Sequence, residues 1–237
     1  MKFKAKEQLV ERTTDKHIIV ANDYADLGVS YYKPFAEFAP QADPDFLFSH
    51  PDKILCVVFT GGADVDPSVY GDERNPKTSS IPHRDKAERR FFDFALEHKI
   101  PMAGICRGAQ LLCALSGGKL VQHIDGHGGS HTVRTFEGVV TVTSTHHQMQ
   151  LPPKEAKLLA WTEPRRSRCY EGGMTRQGRL QMIDPEFEYE GVYYPNTNSL
   201  GMQWHPEIMR ESSDGWQFTQ MLIAKLLSGR LGSVKGR

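Results

Sequence analysis

The sequence contains no long apolar run, so no transmembrane helix is expected. Its first residues, MKFKAKEQLVERTTDKH, are polar and lack the apolar centre of a secretion signal. It has no charge excess, because Lys plus Arg and Asp plus Glu each total 29. That balance argues against a dedicated nucleic-acid or membrane-surface binder, whose affinity rests on basic excess. Cysteine is sparse: Cys56, Cys106, Cys113 and Cys169 show neither metal-type nor disulfide-framework spacing. Free thiols in a reducing cytosol, and hence a cytoplasmic chain, are the expectation. No G-x-x-x-x-G-K-[ST] loop and no strand-linked G-x-G-x-x-G occurs, so nucleotide and dinucleotide binding are unsupported. No repeat or low-complexity linker divides the 237 residues, which suit a single α/β domain over 1–237, with 228–237 as a flexible tail.

What is present alternates. His17–Asn22 is a β-branched run that reads as a first strand. Ser30–Phe38 reads as a helix limited by Pro34, and Phe46–Phe48 as a short strand. Ile54–Thr60 is a continuous apolar run closed by Gly61–Gly62, as in a parallel strand covered on both faces. Arg84–His98 places Ala87, Phe91, Phe94 and Ala95 at helical spacing. Pro101–Ile105 is a buried strand, and Gln110–Ser116 a helix stopped by Gly117–Gly118. This order implies right-handed crossovers and a parallel sheet. Val139–Ser144, Val192–Tyr194 and Leu200–Trp204 read as antiparallel additions, and Ser213–Leu227 as a closing amphipathic helix.

The segment PMAGICRGAQ runs a buried strand straight into a helix, with Cys106 at the junction between Gly104 and Gly108. A tight turn of this kind pushes its central side chain out at the sheet edge, and small residues relieve the crowded backbone. The helix N-terminus there favours thiolate over thiol, so Cys106 reads as a nucleophile. Cys56 and Cys113 fall on apolar faces and read as core, and Cys169 as exposed and incidental. A thiolate hydrolase needs an imidazole base held by a third group. Ten histidines compete, and His205 in GMQWHPE follows a strand with Glu207 two residues on, on the same side. Glu207 can then fix the imidazole tautomer.

G-I-C-R-G-A-Q at Gly104–Gln110 and Q-W-H-P-E at Gln203–Glu207 resemble the class I glutamine amidotransferase-like superfamily. Three further segments resemble its γ-glutamyl hydrolase branch, which includes hydrolases of γ-glutamyl amines. They are F-T-G-G-A-D-V-D-P-S-V-Y-G at Phe59–Gly71, R-D-x-x-E at Arg84–Glu88, and S-T-H-H-Q at Ser144–Gln148. The likeness runs from about the first strand to the final helix. It implies a flavodoxin-like three-layer sandwich, a mostly parallel sheet with antiparallel additions, and a site beyond the carboxyl ends of the strands. It implies Cys106 as nucleophile, His205 and Glu207 as the other triad members, and the Gly62 and Arg107 amides as oxyanion hole. Gly61, Gln110, Ser144, His146 and His147 would lie near the glutamyl group. The substrate implied is glutamine or a γ-glutamyl amine, opened through a γ-glutamyl thioester with no cofactor. Both a homodimer and a synthetase partner, which would give the chain the role of glutaminase subunit, are compatible with the resemblance. A non-catalytic binding relative is the third and least favoured reading, since the Cys–His–Glu set is intact.

Asp64 and Asp66 read as loop caps. His123, His127 and His131 recur every four residues, but their glycines oppose a helix, so no metal site is assigned and a loop at the site mouth is expected. His146 and His147 would face opposite sides of a strand. The arginine-rich, then acidic, stretch Glu163–Glu190 reads as a solvated insertion, with a lid or docking loop as the sharper alternative.

Overall fold

The structure is a computed structural model that describes residues 12–21, 30–234 and 236. Its first half contains strands β1 (His17–Val20), β2 (Gln41–Ala42), β3 (Ile54–Phe59) and β4 (Met102–Ile105), with helices α1 (Phe46–Ser49), α2 (Pro82–Glu97) and α3 (Arg107–Leu115). Strands β5 (Lys119–Val121), β6 (His123–Ile124), β7 (Gly128–Thr135), β8 (Gly138–Thr145), β9 (Met149–Leu151) and β10 (Lys157–Thr162) follow. The chain closes with β11 (Tyr170–Met174), β12 (Leu180–Met182), β13 (Glu188–Tyr194), β14 (Ser199–Met202) and α4 (Asp214–Leu227).

Nine strands form the central sheet in the order β2-β1-β3-β4-β14-β13-β10-β7-β8. From β2 to β14 all neighbours are parallel, and from β14 to β8 all are antiparallel. The two-residue period of β3 feeds both layers. Cys56 and Val58 join Phe218, Leu222 and Leu226 of α4, whereas Val57 and Phe59 join Phe92 of α2 and Leu111 and Leu112 of α3. This is the three-layer α/β sandwich expected, and Cys56 and Cys113 lie in its core. Among the described residues, no helix is long and apolar enough to cross a membrane.

Several expectations are corrected. Phe46–Phe48 is helical rather than extended. Asp43 Oδ1 accepts the Asp45 amide at 2.9 Å, and the turn closes by His50 N–H to Phe46 O at 3.0 Å, with the two rings stacked. Ser30–Phe38 holds only a 3-10 turn at Lys33–Phe35, since Pro34 offers no N–H to extend it. β14 is not an antiparallel addition alone: it pairs parallel to β4 and antiparallel to β13, joining the two halves of the sheet. Within the expected tail, Leu231 is 1% exposed and packs in the core. The segment from His123 to His131, expected as a loop, holds β6 and the start of β7, with residues 125–127 as the short turn between them. The Glu163–Glu190 stretch pairs β11 and β12 with β6 in a small sheet and ends in two fully buried glutamates. Asn22 lies outside the described residues.

Candidate active site

β4 ends at Ile105, and Cys106 turns the chain into α3 with φ 52° and ψ −109°. A non-glycine residue holds such a backbone only where its surroundings impose it. Here they do. The Cys106 amide donates to Met202 O of β14 at 2.7 Å, and α3 begins hard against β3. A Cβ at Gly108 would stand 2.1 Å from Phe59 O, and one at Gly104 would stand 2.4 Å from the Gly108 backbone. Glycine at both positions is what lets the turn exist.

His205 follows β14, anchored by its amide to Thr143 O of β8 at 2.7 Å. Its Nδ1 lies 2.6 Å from Glu207 Oε1, so the ring's Nδ1–H donates to the carboxylate. Its Nε2 lies 3.1 Å from Thr145 Oγ1. Burial disfavours the charged ring, but Cys106 and Glu207 outweigh it and push the His205 pKa up from 6.5 to about 10. Glu207 is 3% exposed.

The 60–62 loop forms the opposite wall. A Cβ on Gly61 would meet the Tyr31 hydroxyl at 2.6 Å and His205 Cε1 at 3.2 Å, so Gly61 packs directly on the site. Gly62 has φ 129°, a value only glycine adopts readily, and Arg84 fills the space where its Cβ would be. Arg84 Nη2 donates to Gly61 O at 2.8 Å and to Thr60 Oγ1 at 2.9 Å, while its Nε donates to Glu88 at 3.0 Å. Arg107 leaves its amide at the head of α3 and sends its guanidinium to Asp85 and Glu88. The R-D-x-x-E segment is therefore the support of this loop.

The structure brings Cys106, His205, Glu207 and Gly61 together. Gln110 instead donates to Gln148 O at 3.0 Å, and Ser144 is fully buried. His146 and His147 diverge as expected: His146 is buried and donates from Nδ1 to Gln148 O, whereas His147 is half exposed and meets Asp64 Oδ1 at 3.0 Å. Asp64 and Asp66 do cap their loop, accepting from Ser79 N and Ser68 N. Sequence reasoning missed Thr145 and Tyr31. Only the outward phase of Thr145 in alternating β8 hints at its role.

The sequence expectation also dismissed the four-residue histidine spacing because a helix was excluded. His131 lies within β7 and His127 in the turn just before it, and both meet Glu190. Burial disfavours charge on His127, but Glu188 and Glu190 push its pKa up to about 9.

Residues 7–168 match the Peptidase C26 family. The chain belongs to that family, among the class I glutamine amidotransferase-like hydrolases. It is 32% identical over 175 residues to a Mycobacterium tuberculosis protein bearing a glutamine amidotransferase name, covering 70% of this chain and 54% of the relative. It is 26% identical over 198 residues to the γ-glutamyl-γ-aminobutyrate hydrolase of Escherichia coli O157:H7, covering 78% and 74%. A fission-yeast relative, also with a glutamine amidotransferase name, is 30% identical over 67% of this chain and 64% of its own length. The chain thus spans about half the length of the Mycobacterium tuberculosis relative and just under two thirds of the fission-yeast one. In fold it resembles a Thermoplasma acidophilum protein bearing a GMP synthase name, with TM-score 0.60, 16% identity, and 92% and 96% coverage. The family match ends before His205 and Glu207, so their place at the site rests on the geometry above.

Proposed function

We propose that this chain hydrolyses γ-glutamyl amide bonds, with Cys106 as nucleophile, His205 as base and acid, and Glu207 as the group that orients it. The observation that carries the reading is the Cys106 turn, with φ 52°, set beside an imidazole whose other nitrogen is bound at 2.6 Å to a buried carboxylate. In the reaction, the Cys106 sulfur adds to the γ-carbonyl carbon, and the Gly62 and Arg107 amides donate to the oxyanion. The C–N bond then breaks as His205 gives its proton to the departing amine, leaving a γ-glutamyl thioester. Water, deprotonated by His205, opens the thioester to glutamate and restores the thiol. Gly61 borders this space, and the half-exposed His147 is the side chain of the 144–148 segment left to contact the glutamyl group.

The hydrolase name of one relative supports a γ-glutamyl amine as substrate. The glutamine amidotransferase names of others support a second reading, in which the substrate is glutamine and the ammonia passes to a synthetase partner. A panel of glutamine and γ-glutamyl amines, assayed with wild type and Cys106→Ala, tests both. Cleavage of amines, abolished in Cys106→Ala, is the expected result. Cleavage of glutamine alone favours the second reading. No cleavage of any member, with no covalent capture of a γ-glutamyl electrophile, would sink both.

A further inference from the structure

Five titratable side chains outside that site are packed together with 0 to 1% exposure: His127, His131, His146, Glu188 and Glu190. They come from the head of β7, from β7 itself, from the turn after β8, and from β13. Three ring nitrogens converge on a single oxygen. Glu190 Oε1 is 3.0 Å from His127 Nδ1, 3.0 Å from His131 Nε2 and 3.5 Å from His146 Nε2. A tetrahedral cation with bonds of about 2.0–2.1 Å spaces its ligands about 3.4 Å apart, close to these separations.

The rings are oriented from outside. His146 Nδ1 lies 2.9 Å from the Gln148 carbonyl, which can only accept, so Nδ1 carries hydrogen and Nε2 of the neutral ring presents a lone pair to Glu190. His127 Nε2 faces Glu188 Oε2 at 3.3 Å, which turns Nδ1 toward Glu190. Yet neither His127 nitrogen, nor His146 Nε2, meets hydrogen-bond geometry with any partner, although all are fully buried. A lone pair aimed at a carboxylate repels it unless a proton or a cation lies between them, and at His146 the tautomer leaves Nε2 without the proton.

We infer that His127, His146 and Glu190, with His131 as the adjacent fourth donor, form a binding site for a divalent cation of the zinc class. The three central ligand atoms lie within 4.8 Å of one another. Imidazole and carboxylate donors suit such borderline ions rather than calcium or magnesium. The charge also closes, because His127 gives up its proton as the ion binds and two buried carboxylates are then matched by one divalent ion. Glu188 is the outer partner that holds His127, itself gripped by the Ser167 amide at 2.7 Å and the Tyr170 hydroxyl at 2.7 Å. The ion would tie β7, β13 and the end of β8 together, one residue from Thr145 and its contact to His205.

The test uses the full chain, freed of any affinity tag, in a Cys106→Ala background so that the thiol cannot compete. Cobalt(II) and zinc(II) are added to chelator-treated protein. The expected result is one ion per chain, tetrahedral cobalt absorption bands displaced by zinc, and a raised Tm. His127→Gln should remove the bands, Glu188→Gln should weaken binding about 10–100-fold, and His123→Gln, outside the cluster, should change nothing. Circular dichroism checks that the variants fold. Should they not fold, the wild-type stoichiometry and cobalt spectrum decide alone. Absence of one-to-one binding, or bands unchanged in folded His127→Gln, would overturn the inference and leave the cluster held by protons.

Discussion

At His205 a single ring answers to two partners, Glu207 on Nδ1 and Thr145 on Nε2. Its pKa is raised from 6.5 to about 10, with Cys106 and Glu207 overcoming burial. The folded value exceeds the unfolded one, so the charged ring's contribution to stability is complete below about pH 6.5 and is lost as pH rises through about 10. Glu207→Gln removes one of the groups that sustain it, so the loss should move to lower pH. Tm profiles from about pH 6 to 10.5 check this, and coincident wild-type and variant curves would rule out Glu207 as a cause. Thr145→Val removes one hydrogen bond to the charged ring, worth about 1.5 kcal/mol at this exposed position, so kcat/KM should fall about 10-fold with the fold intact. The Cys106 turn and the His205–Glu207 pair were legible in the sequence because each rests on local spacing: a cysteine between two glycines, and a glutamate two residues past a histidine. Thr145 was not, since its contact spans 60 residues. The His127 group was hidden for the same reason, with Glu190 supplied from a distant strand.

Among the elements, the turn between β4 and α3 depends most on one residue. A methyl at Gly108 would lie 2.1 Å from the Phe59 carbonyl, a backbone-to-backbone clash that no rotamer relieves. Gly108→Ala should therefore cost about 3 kcal/mol or more, or prevent folding, as urea unfolding followed by circular dichroism will show. Gly128→Ala, with nothing within 4 Å of the new methyl, is the control and should stay within about 0.5 kcal/mol. Elements with strong apolar periods were legible: β3, β4, α2 and α4 match their expected places within about two residues. The strands β5–β7 and β9–β12 were not. Gly128–His131 carries little β propensity and is extended because its backbone pairs residue by residue with β8. Glu188 and Glu190 read as solvated acid, and it is partners distant in sequence that stabilise their burial: the histidines opposite them and, for Glu188, the Arg166 and Ser167 amides and the Tyr170 hydroxyl.

Across the whole molecule, the parallel half is fastened by four buried charges: Arg84, Asp85, Glu88 and Arg107, each at most 5% exposed. They come from the start of α2 and the start of α3, and Arg84 extends the group to the carbonyls of the loop after β3. Glu88 is the hub, since it accepts from both arginines. Two positive and two negative groups balance there, so the cluster is stable only when complete. Glu88→Gln keeps the shape but leaves one buried positive charge uncompensated, at a cost of about 3–5 kcal/mol. The same change loosens Arg84, and with it the carbonyls that hold Gly61 and Gly62 beside Cys106. Denaturant unfolding and kcat should therefore both fall in Glu88→Gln. In Asp93→Asn, which breaks the exposed Arg89–Asp93 pair on the same helix, neither should move. A stable Glu88→Gln protein with normal kcat would show that the antiparallel half, through β14 and His205, positions the site without this support.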